Sequence, residues 1–446
     1  MLVTEDLRGT LRTWLAALTI DPIDPCDPKE TRYVRLEESG RGAVDEIRAT
    51  IDLRLDTTTQ LLSGPNGSGK TTELLRLKGN LENDGFTVAI VDILQFVNRS
   101  APIDVADFLV AIALGVGEQL PELPASDGGG FGQRFLRFLR RVNVTLDAGP
   151  VSAAMSTEAI TVSAVGVGVE VDLKRELRNS ELFVRELRSK LAFQVGGLYD
   201  EVAEYFQQLG AANIVAHSDT RGLVVIVDSL EKLRGTQEND DEVQSSVEAL
   251  FVHHSDKLRF GSQHMVYTVP TYLLFTSPGA LPYDGRVQPV PIPQVRNRFG
   301  ALDDNALESV AELVDVVSRR IDWEQLLGDR ERLDVVVTAS GGHLRDLFLI
   351  LQQIITQVYG RGIALPVNIA QIDEALDAIA RSFASLTKEK ADFLRRFAAA
   401  DGVLEPAESE VHLMARLMDT HMLLAHINGQ DWYEVHPLAR RALGMP

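Results

Sequence analysis

The chain has 446 residues, of which 45% are hydrophobic and 24% are charged, and its formal net charge is −20 at pH 7. A chain of this length is expected to fold as two or three domains of roughly 100–200 residues, and its composition is that of a globular protein. The negative charge excludes a surface that is basic throughout, as a general nucleic-acid binder requires. Cys26 is the single cysteine, which excludes an intrachain disulfide and a thiolate metal cluster.

The first 32 residues are predicted to form a helix and then a proline-rich arm. Leucines recur at helical spacing between charges in residues 1–20, and acidic residues stand where a secretory signal would be basic. Three prolines in residues 21–28 exclude both a helix and a central strand there. No stretch reaches the roughly 18 apolar residues that span a bilayer. We therefore expect a cytoplasmic protein with no membrane partner.

Residues 64–71 match the phosphate-loop pattern GxxxxGK[ST] at every position. They follow an apolar run and precede a helix-prone stretch over residues 72–81, which is the order the motif requires. Glycines let backbone N–H groups approach phosphates, the Lys70 ammonium meets the β- and γ-phosphates, and the Thr71 hydroxyl is a Mg²⁺ ligand. We predict a nucleoside triphosphate site made by Gly64, Pro65, Asn66, Gly67, Ser68, Gly69, Lys70, Thr71 and Thr72.

Helices and short strands alternate around this loop, which predicts a parallel α/β sheet with helices on both faces. The first strands are expected at residues 59–63 and 86–92, and the flanking helices at residues 43–53 and 105–120. Two later strands are expected at residues 265–269 and 287–292.

Residues 121–210 are predicted to be an insertion in this sheet, because the phosphate loop and the next nucleotide motif lie further apart than a minimal sheet needs. Residues 160–171 alternate as a glycine-interrupted strand, which favours a hairpin. An apolar stripe from Val184 to Leu209 predicts one long helix that Gly196-Gly197 kinks. The stripe either packs in the core or forms a surface for a partner.

Apolar residues 223–227 end at Asp228, as the strand of a Walker B motif does. The Asp228 carboxylate is the predicted Mg²⁺ ligand, together with Thr71. Hydrolysis also needs a group that polarises the attacking water, and the nearest following carboxylate belongs to Glu231. Lys70, Asp228 and Glu231 are therefore the predicted catalytic residues. Glu231 has a second interpretation, in which it only pairs within the next helix and turnover is slow.

The C-terminal third is predicted to be helical, with one hairpin near its end. A helical lid region covers residues 304–327, and helices are expected at 388–399 and 408–418. Asn428-Gly429, between two apolar runs, is a strong hairpin signal. Helices followed by a hairpin resemble a winged helix. Acidic residues outnumber Lys and Arg here, which favours a structural or autoinhibitory module over a DNA reader.

These motifs together resemble those of the AAA+ and STAND division of P-loop ATPases, and the Asp228-to-Glu231 spacing resembles the STAND pattern. The resemblance implies ATP and Mg²⁺ as ligands. It implies that Thr268 contacts the γ-phosphate as a sensor, although a structural threonine is the alternative. It also implies that Arg345, after Ser340-Gly341-Gly342, reaches the nucleotide as a second sensor, the alternative being a turn in which Arg345 pairs with an acid. Arg296 and Arg298 would be arginine fingers between subunits.

The implied domains are an N-terminal helix and arm (1–32), a P-loop ATPase core (33–300), a helical lid (301–382) and a winged-helix-like domain (383–446). The implied function is a switch that controls assembly or a protein partner, in bacterial antiviral defence. The alternative is an origin-recognition-like ATPase that binds DNA through its winged helix. His436 either holds a closed form or has no such role. No histidine stands at a metal-ligand spacing along the chain, so Mg²⁺ is the one metal expected.

Overall fold

The computed structural model describes residues 5–36, 42–120, 130–146, 150–151, 163–216, 220–236, 238–276, 282–384, 386–400, 406–426 and 432–445. The chain divides into two compact units. The loop unit comprises residues 1–44, 64–76 and 289–446, and the sheet unit comprises residues 45–63 and 77–288. Across the residues that the structure describes, no helix is both long enough and apolar enough to cross a membrane.

The sheet has five strands, which are β1 (Thr59–Ser63), β2 (Phe86–Asp92), β3 (Gly222–Asp228), β4 (His264–Val269) and β5 (Gln288–Pro289). Their order across the sheet is β2-β3-β4-β1-β5. The pairs β1–β4, β3–β4 and β2–β3 are parallel. β1 and β4 are buried along their whole length, as strands covered on both faces are.

Helices of the first part of the chain are α1 (Glu5–Ala17), α2 (Ala43–Leu53), α3 (Lys70–Asn83), α4 (Val105–Gln119), α5 (Phe131–Arg141), α6 (Ser163–Asn179), α7 (Glu181–Leu191), α8 (Val195–Ala216), α9 (Asp240–Val252) and α10 (Leu273–Thr276). α4 is apolar on nearly every face because it packs against β2 on one side and against α7 and α8 on the other. Its N-terminus is fixed by a capping box in which Asp104 and Asp107 each bond the backbone of the other.

The structure corrects two predictions in the insertion. Residues 163–171 belong to α6, so the strand prediction was wrong, and residues 160–162 lie outside the described residues. Val169, Leu173 and Leu177 are buried at four-residue intervals, a helical period that outweighs the short alternation before them. The single long helix is in fact α7 and α8, separated at residues 192–194. Most of its apolar stripe is buried, which supports the core interpretation.

The second part of the chain is helical and ends with a two-stranded hairpin. Its elements are α11 (Asp304–Ser318), α12 (Trp323–Leu327), α13 (Arg330–Ala339), α14 (Leu344–Arg361), α15 (Ile369–Phe383), α16 (Lys388–Ala399), α17 (Val411–Asp419), β6 (Leu423–His426), β7 (Trp432–Val435) and α18 (Pro437–Ala442). β6 and β7 pair antiparallel, as the hairpin prediction requires, and the Asn428-Gly429 turn itself lies outside the described residues. α18 packs against α15.

The predicted fold class is confirmed, because a parallel sheet with helices is followed by a helical lid and by a helix–helix–hairpin module of winged-helix type. β5 is shorter than the strand predicted at residues 287–292. Pro289, Pro291 and Pro293 explain the difference, since proline has no N–H to donate to a strand ladder.

Candidate functional site

The phosphate loop, residues 64–71, continues from the last residue of β1 and ends in the first turn of α3. The Lys70 ammonium donates hydrogen bonds to the carbonyl oxygens of Gly64 and Pro65, at 2.8 and 2.9 Å. Lys70 is only 4% exposed, so its charge is held against the loop backbone. A lysine in this place offers its charge to an anion bound by the loop.

Gly67 is the residue at which the phosphate loop meets the lid. Its φ of +86° is one that side chains larger than hydrogen disfavour. A Cβ at Gly67 would lie 2.8 Å from Arg345 Cβ and 2.9 Å from His343 Cε1. His343 Nε2 also donates a hydrogen bond to the Asn66 carbonyl oxygen, 2.7 Å away. The start of α14 is therefore in direct contact with the phosphate loop.

Arg345 lies in the first turn of α14, exposed to solvent and beside Gly67. The structure thus brings Arg345 to the predicted nucleotide loop, although its role as a sensor stays a prediction. Gly342, just before α14, has a φ of +79°, and a Cβ there would lie 1.8 Å from the Pro293 carbonyl oxygen. The glycine pair in front of α14 is therefore required by packing as well as by the turn.

Asp346 pairs with histidines rather than with Arg345. Its Oδ2 lies 2.7 Å from His343 Nδ1, 3.1 Å from His436 Nε2 and 4.0 Å from His421 Nδ1. Burial by itself would raise the pKa of Asp346, but the imidazoles of His343 and His436 hold that pKa well below its usual range. We call His343, Asp346, His421 and His436 the histidine cluster. Burial, with His343 beside it, holds the pKa of His421 well below its usual value.

Sequence reasoning missed this cluster and singled out only His436. The members come from the start of α14, the turn after α17 and the residue before α18, so no local spacing joins them. His436 is fully buried and its Nδ1 accepts the Leu438 N–H at 3.0 Å, capping α18. The one available signal was the position of two histidines at helix N-caps.

The predicted catalytic carboxylates lie in the sheet unit, at the end of β3. Asp228 is 2% exposed, and its Oδ1 accepts the N–H of Ser229 at 2.7 Å. Ser229 has a φ of +76°, and Glu231 follows in a buried 3-10 turn, Leu230–Lys232. Asp92 pairs with Asp228 across β2 and β3, which places a second carboxylate at this edge of the sheet.

Thr268 is fully buried near the end of β4. Its hydroxyl oxygen accepts the Leu230 N–H at 3.3 Å and lies 3.5 Å from the Val227 carbonyl oxygen. These contacts hold the turn that follows Asp228, which supports the structural interpretation of Thr268. Its contact with a γ-phosphate stays a prediction.

Other predicted residues have partners within the loop unit. The Thr72 hydroxyl accepts the Ile23 N–H at 3.4 Å, which attaches the proline-rich arm to α3. Arg296 forms a 2.6 Å ion pair with buried Glu434. Its role as an arginine finger between subunits stays a prediction. Arg298 is exposed, and its guanidinium carbon lies 4.8 Å from the centre of the Phe299 ring.

No family model matches the chain, and no curated protein matches it. Among solved structures, the chain is similar to Cdc6p from Pyrobaculum aerophilum, with 10% identity and a TM-score of 0.40, over 100% of this chain and 98% of that one. It is also similar to the Orc1 protein from Aeropyrum pernix, solved in complex with DNA, with 13% identity and a TM-score of 0.35, over 96% of each chain. Neither likeness is close enough to assign a function.

Proposed function

We propose that the protein binds ATP with Mg²⁺, hydrolyses it slowly and acts as a molecular switch of AAA+ type. The observation that carries this proposal is the packing of α14 on the phosphate loop. Gly67 leaves no room for a side chain beneath His343 and Arg345, and His343 is bonded to the Asn66 carbonyl. A nucleotide held by this loop would therefore lie beside residues of the lid.

The residues present suit a Mg²⁺–nucleoside triphosphate. The loop supplies backbone N–H groups at the start of α3 and the ammonium of Lys70, which are donors for phosphate oxygens. Thr71 and Asp228 offer the hydroxyl and carboxylate oxygens that Mg²⁺ prefers. Bound Mg²⁺ would neutralise the phosphate charge, and we assign Glu231 to orienting the attacking water.

The switch follows from contacts inside the loop unit. The phosphate loop touches α14 through His343. Through the pair of Asp346 with His436, α14 in turn touches the C-terminal module, which comprises α16, α17, β6, β7 and α18. A ligand that binds one arrangement of these contacts more tightly shifts the population of molecules toward that arrangement. The size of the shift is set by the difference between its affinities for the two arrangements. The output we propose is assembly of the chain or control of a protein partner. The defence role stays a prediction.

Light scattering tests the switch directly. The size of the protein is measured without nucleotide, with ADP and with a nonhydrolysable ATP analogue, for the wild type and for Lys70→Ala. Lys78→Ala is the matched control, because Lys78 lies on the same helix and pairs with Glu82 on its surface. We expect an ATP-dependent change in size that Lys70→Ala abolishes and Lys78→Ala keeps. An unchanged monomer throughout would rule out assembly and leave a partner protein as the output.

Turnover tests the carboxylate assignment separately. Glu231→Gln keeps the shape of the buried side chain and removes the charge. We expect ATP binding to persist while hydrolysis falls by roughly 10²-fold or more, the usual loss when a group that activates the nucleophile is removed. Hydrolysis at the wild-type rate would remove Glu231 as the catalytic carboxylate.

A second candidate adds duplex DNA as a ligand of the same nucleotide-dependent protein. It is favoured by the helix–helix–hairpin order of α16, α17, β6 and β7, and by a cavity of about 280 Å³ beside the hairpin. Arg298 and Tyr433 line that cavity, a cation and an aromatic ring of the kind that contact nucleic acid. Fluorescence anisotropy with a labelled duplex tests it. Binding that weakens with salt and with Arg298→Ala would support this candidate, and no binding at low salt would exclude it.

A further inference from the structure

Three ligand atoms of the histidine cluster converge in the interior of the loop unit. His343 Nδ1 lies 2.7 Å from Asp346 Oδ2 and 3.4 Å from His421 Nδ1, and the remaining pair is 4.0 Å apart. His343 is fully buried, Asp346 is 5% exposed and the His421 side chain is 12% exposed. Such a group of two imidazoles and a carboxylate has the composition of a metal-ligand set.

The hydrogen bonds around His343 show which of its ring nitrogens is available as a metal ligand. A carbonyl oxygen only accepts, so His343 Nε2 must carry the hydrogen that it gives to Asn66. In the neutral imidazole, Nδ1 then has a lone pair, and that lone pair faces a carboxylate oxygen and the nitrogen of His421. Three electron-rich atoms this close repel one another unless a proton or a cation lies among them.

The unsatisfied oxygen of Asp346 favours a cation over a proton. The distances to Asp346 Oδ2 would allow hydrogen bonds, yet among the described residues no donor is aligned on that oxygen. A buried carboxylate oxygen with no hydrogen bond is one that a cation can satisfy. Zinc ligand bonds of about 2.0–2.1 Å place neighbouring ligand atoms roughly 3.3 Å apart in a tetrahedron. The observed separations of 2.7, 3.4 and 4.0 Å bracket that value.

The surroundings are those of an outer ligand shell. Ligand histidines usually give their second N–H to a carbonyl, as His343 does to Asn66. The Leu438 N–H occupies His436 Nδ1, so the hydrogen of that ring is on Nε2, 3.1 Å from Asp346 Oδ2. With its hydrogen on Nε2 and its Nδ1 occupied, His436 has no lone pair to offer a metal and is not itself a ligand.

His421 also adopts an unfavourable backbone conformation. Its φ of +60° is uncommon for a residue with a side chain and carries an energetic cost. This conformation follows the last turn of α17 and accompanies the contact between the His421 and His343 rings, whose centres are 4.2 Å apart.

We infer that His343, Asp346 and His421 bind one divalent transition metal ion of the zinc class, with a further position open to water. The ion would join the start of α14 to the turn after α17, one hydrogen bond from the phosphate loop. This site is separate from the Mg²⁺ proposed for the nucleotide. It would add a second metal to the Mg²⁺ that linear spacing predicts.

Metal uptake without nucleotide tests the inference. The full chain is incubated with Zn²⁺ in the presence of excess Mg²⁺, which occupies oxygen-ligand sites, and bound zinc is measured after gel filtration by elemental analysis. We expect one zinc per chain in the wild type and in His412→Ala, a control at an exposed histidine of α17. Loss of an outer-shell partner costs roughly 10–100-fold in metal affinity, so His421→Ala should lose at least that much.

A ligand exchange keeps the test decisive if His421→Ala does not fold. Cys26→Ser first removes the native thiol, and His421→Cys then places a thiolate at the site. With Co²⁺, this double variant should show a sulfur-to-cobalt charge-transfer band that Cys26→Ser alone lacks. The inference is overturned if the folded wild type binds no zinc, or if the folded double variant shows no such band. In that case a proton, and not a metal ion, lies among these three atoms. Because no nucleotide is used, failure here leaves the proposed ATP switch untouched.

Discussion

Gly67 connects two kinds of constraint at one residue. Its positive φ belongs to the phosphate loop, and the absence of a side chain leaves room for His343 and Arg345. The motif alone predicts the first constraint, because phosphates need close approach of the backbone. Only the structure reveals the second, since the lid residues lie about 280 positions further along the chain.

Gly67→Ala should therefore destabilise the protein and weaken nucleotide binding. A left-handed conformation costs a residue with a Cβ about 1–2 kcal/mol, and the contacts below 3 Å add to this. Gly9→Ala is the control, because Gly9 lies in α1 with nothing within 4 Å of its Cβ position. It should stabilise the protein by about 0.5–1 kcal/mol. Chemical denaturation measures the change in the free energy of unfolding for both variants. A Gly67→Ala protein as stable as the wild type would contradict the packing described.

The buried carboxyl group of Asp107 should make the stability of the sheet unit depend on pH. Burial raises its pKa to about 6, although Arg188 Nε donates to Asp107 Oδ2 at 2.7 Å. Because the folded-state pKa lies above the unfolded value, the stability this group contributes is complete below the unfolded pKa and is lost as pH rises through about 6. The free energy of unfolding of Asp107→Asn, relative to wild type, should rise by about 1 kcal/mol from about pH 5 to pH 7.

Denaturation of both proteins across this pH range makes the comparison. Asp334→Asn, at a half-exposed carboxylate of α13, is the control for removing a surface charge. A constant difference between Asp107→Asn and the wild type would show that Asp107 does not titrate in this window.

The elements that sequence predicts well are those with strong local signals. The helices at residues 43–53 and 388–399 have the predicted bounds, since their apolar residues recur at the helical period. β3 and β4 were recognisable as apolar runs bounded by polar residues. The strand prediction for residues 163–171 failed because glycine and valine alternate there, although the apolar residues that follow continue a helical stripe.

Contacts between elements were beyond sequence reasoning. The predicted Walker B aspartate and the loop lysine are recognised from motifs a few residues long, whereas the histidine cluster joins positions 343 and 436. The pair of Arg296 with Glu434 is equally hidden from sequence reasoning, because the packing of the hairpin brings the two residues together. A single sequence carries no local pattern for pairs so far apart.

The hairpin β6–β7 is fixed by a buried charge network that can be tested. Glu434 accepts from Arg296 and lies 3.0 Å from His426 Nε2. Breaking a buried pair leaves a charge uncompensated and costs about 3–5 kcal/mol. Glu434→Gln should therefore lower the free energy of unfolding by about 3 kcal/mol. Glu410→Gln, at the more exposed pair with Arg396, should cost less than about 1 kcal/mol, and equal losses would refute the role of burial.

At the scale of the whole molecule, the nucleotide is the proposed source of control. The phosphate loop, the start of α14 and the C-terminal module form one chain of contacts within the loop unit. If a metal ion occupies the histidine cluster, it would strengthen the link between α14 and the C-terminal module. Both effects require first that the loop binds a nucleoside triphosphate.

The most direct test is a fluorescence titration of a labelled ATP analogue, with Mg²⁺, into the wild type, Lys70→Ala and Lys78→Ala. We expect saturable binding by the wild type and by Lys78→Ala. We expect Lys70→Ala to lose roughly tenfold or more in affinity, since a charged hydrogen bond of about 1.5–3 kcal/mol is removed. Equal affinity of Lys70→Ala and the wild type, or no binding by either, would contradict a nucleotide site at this loop.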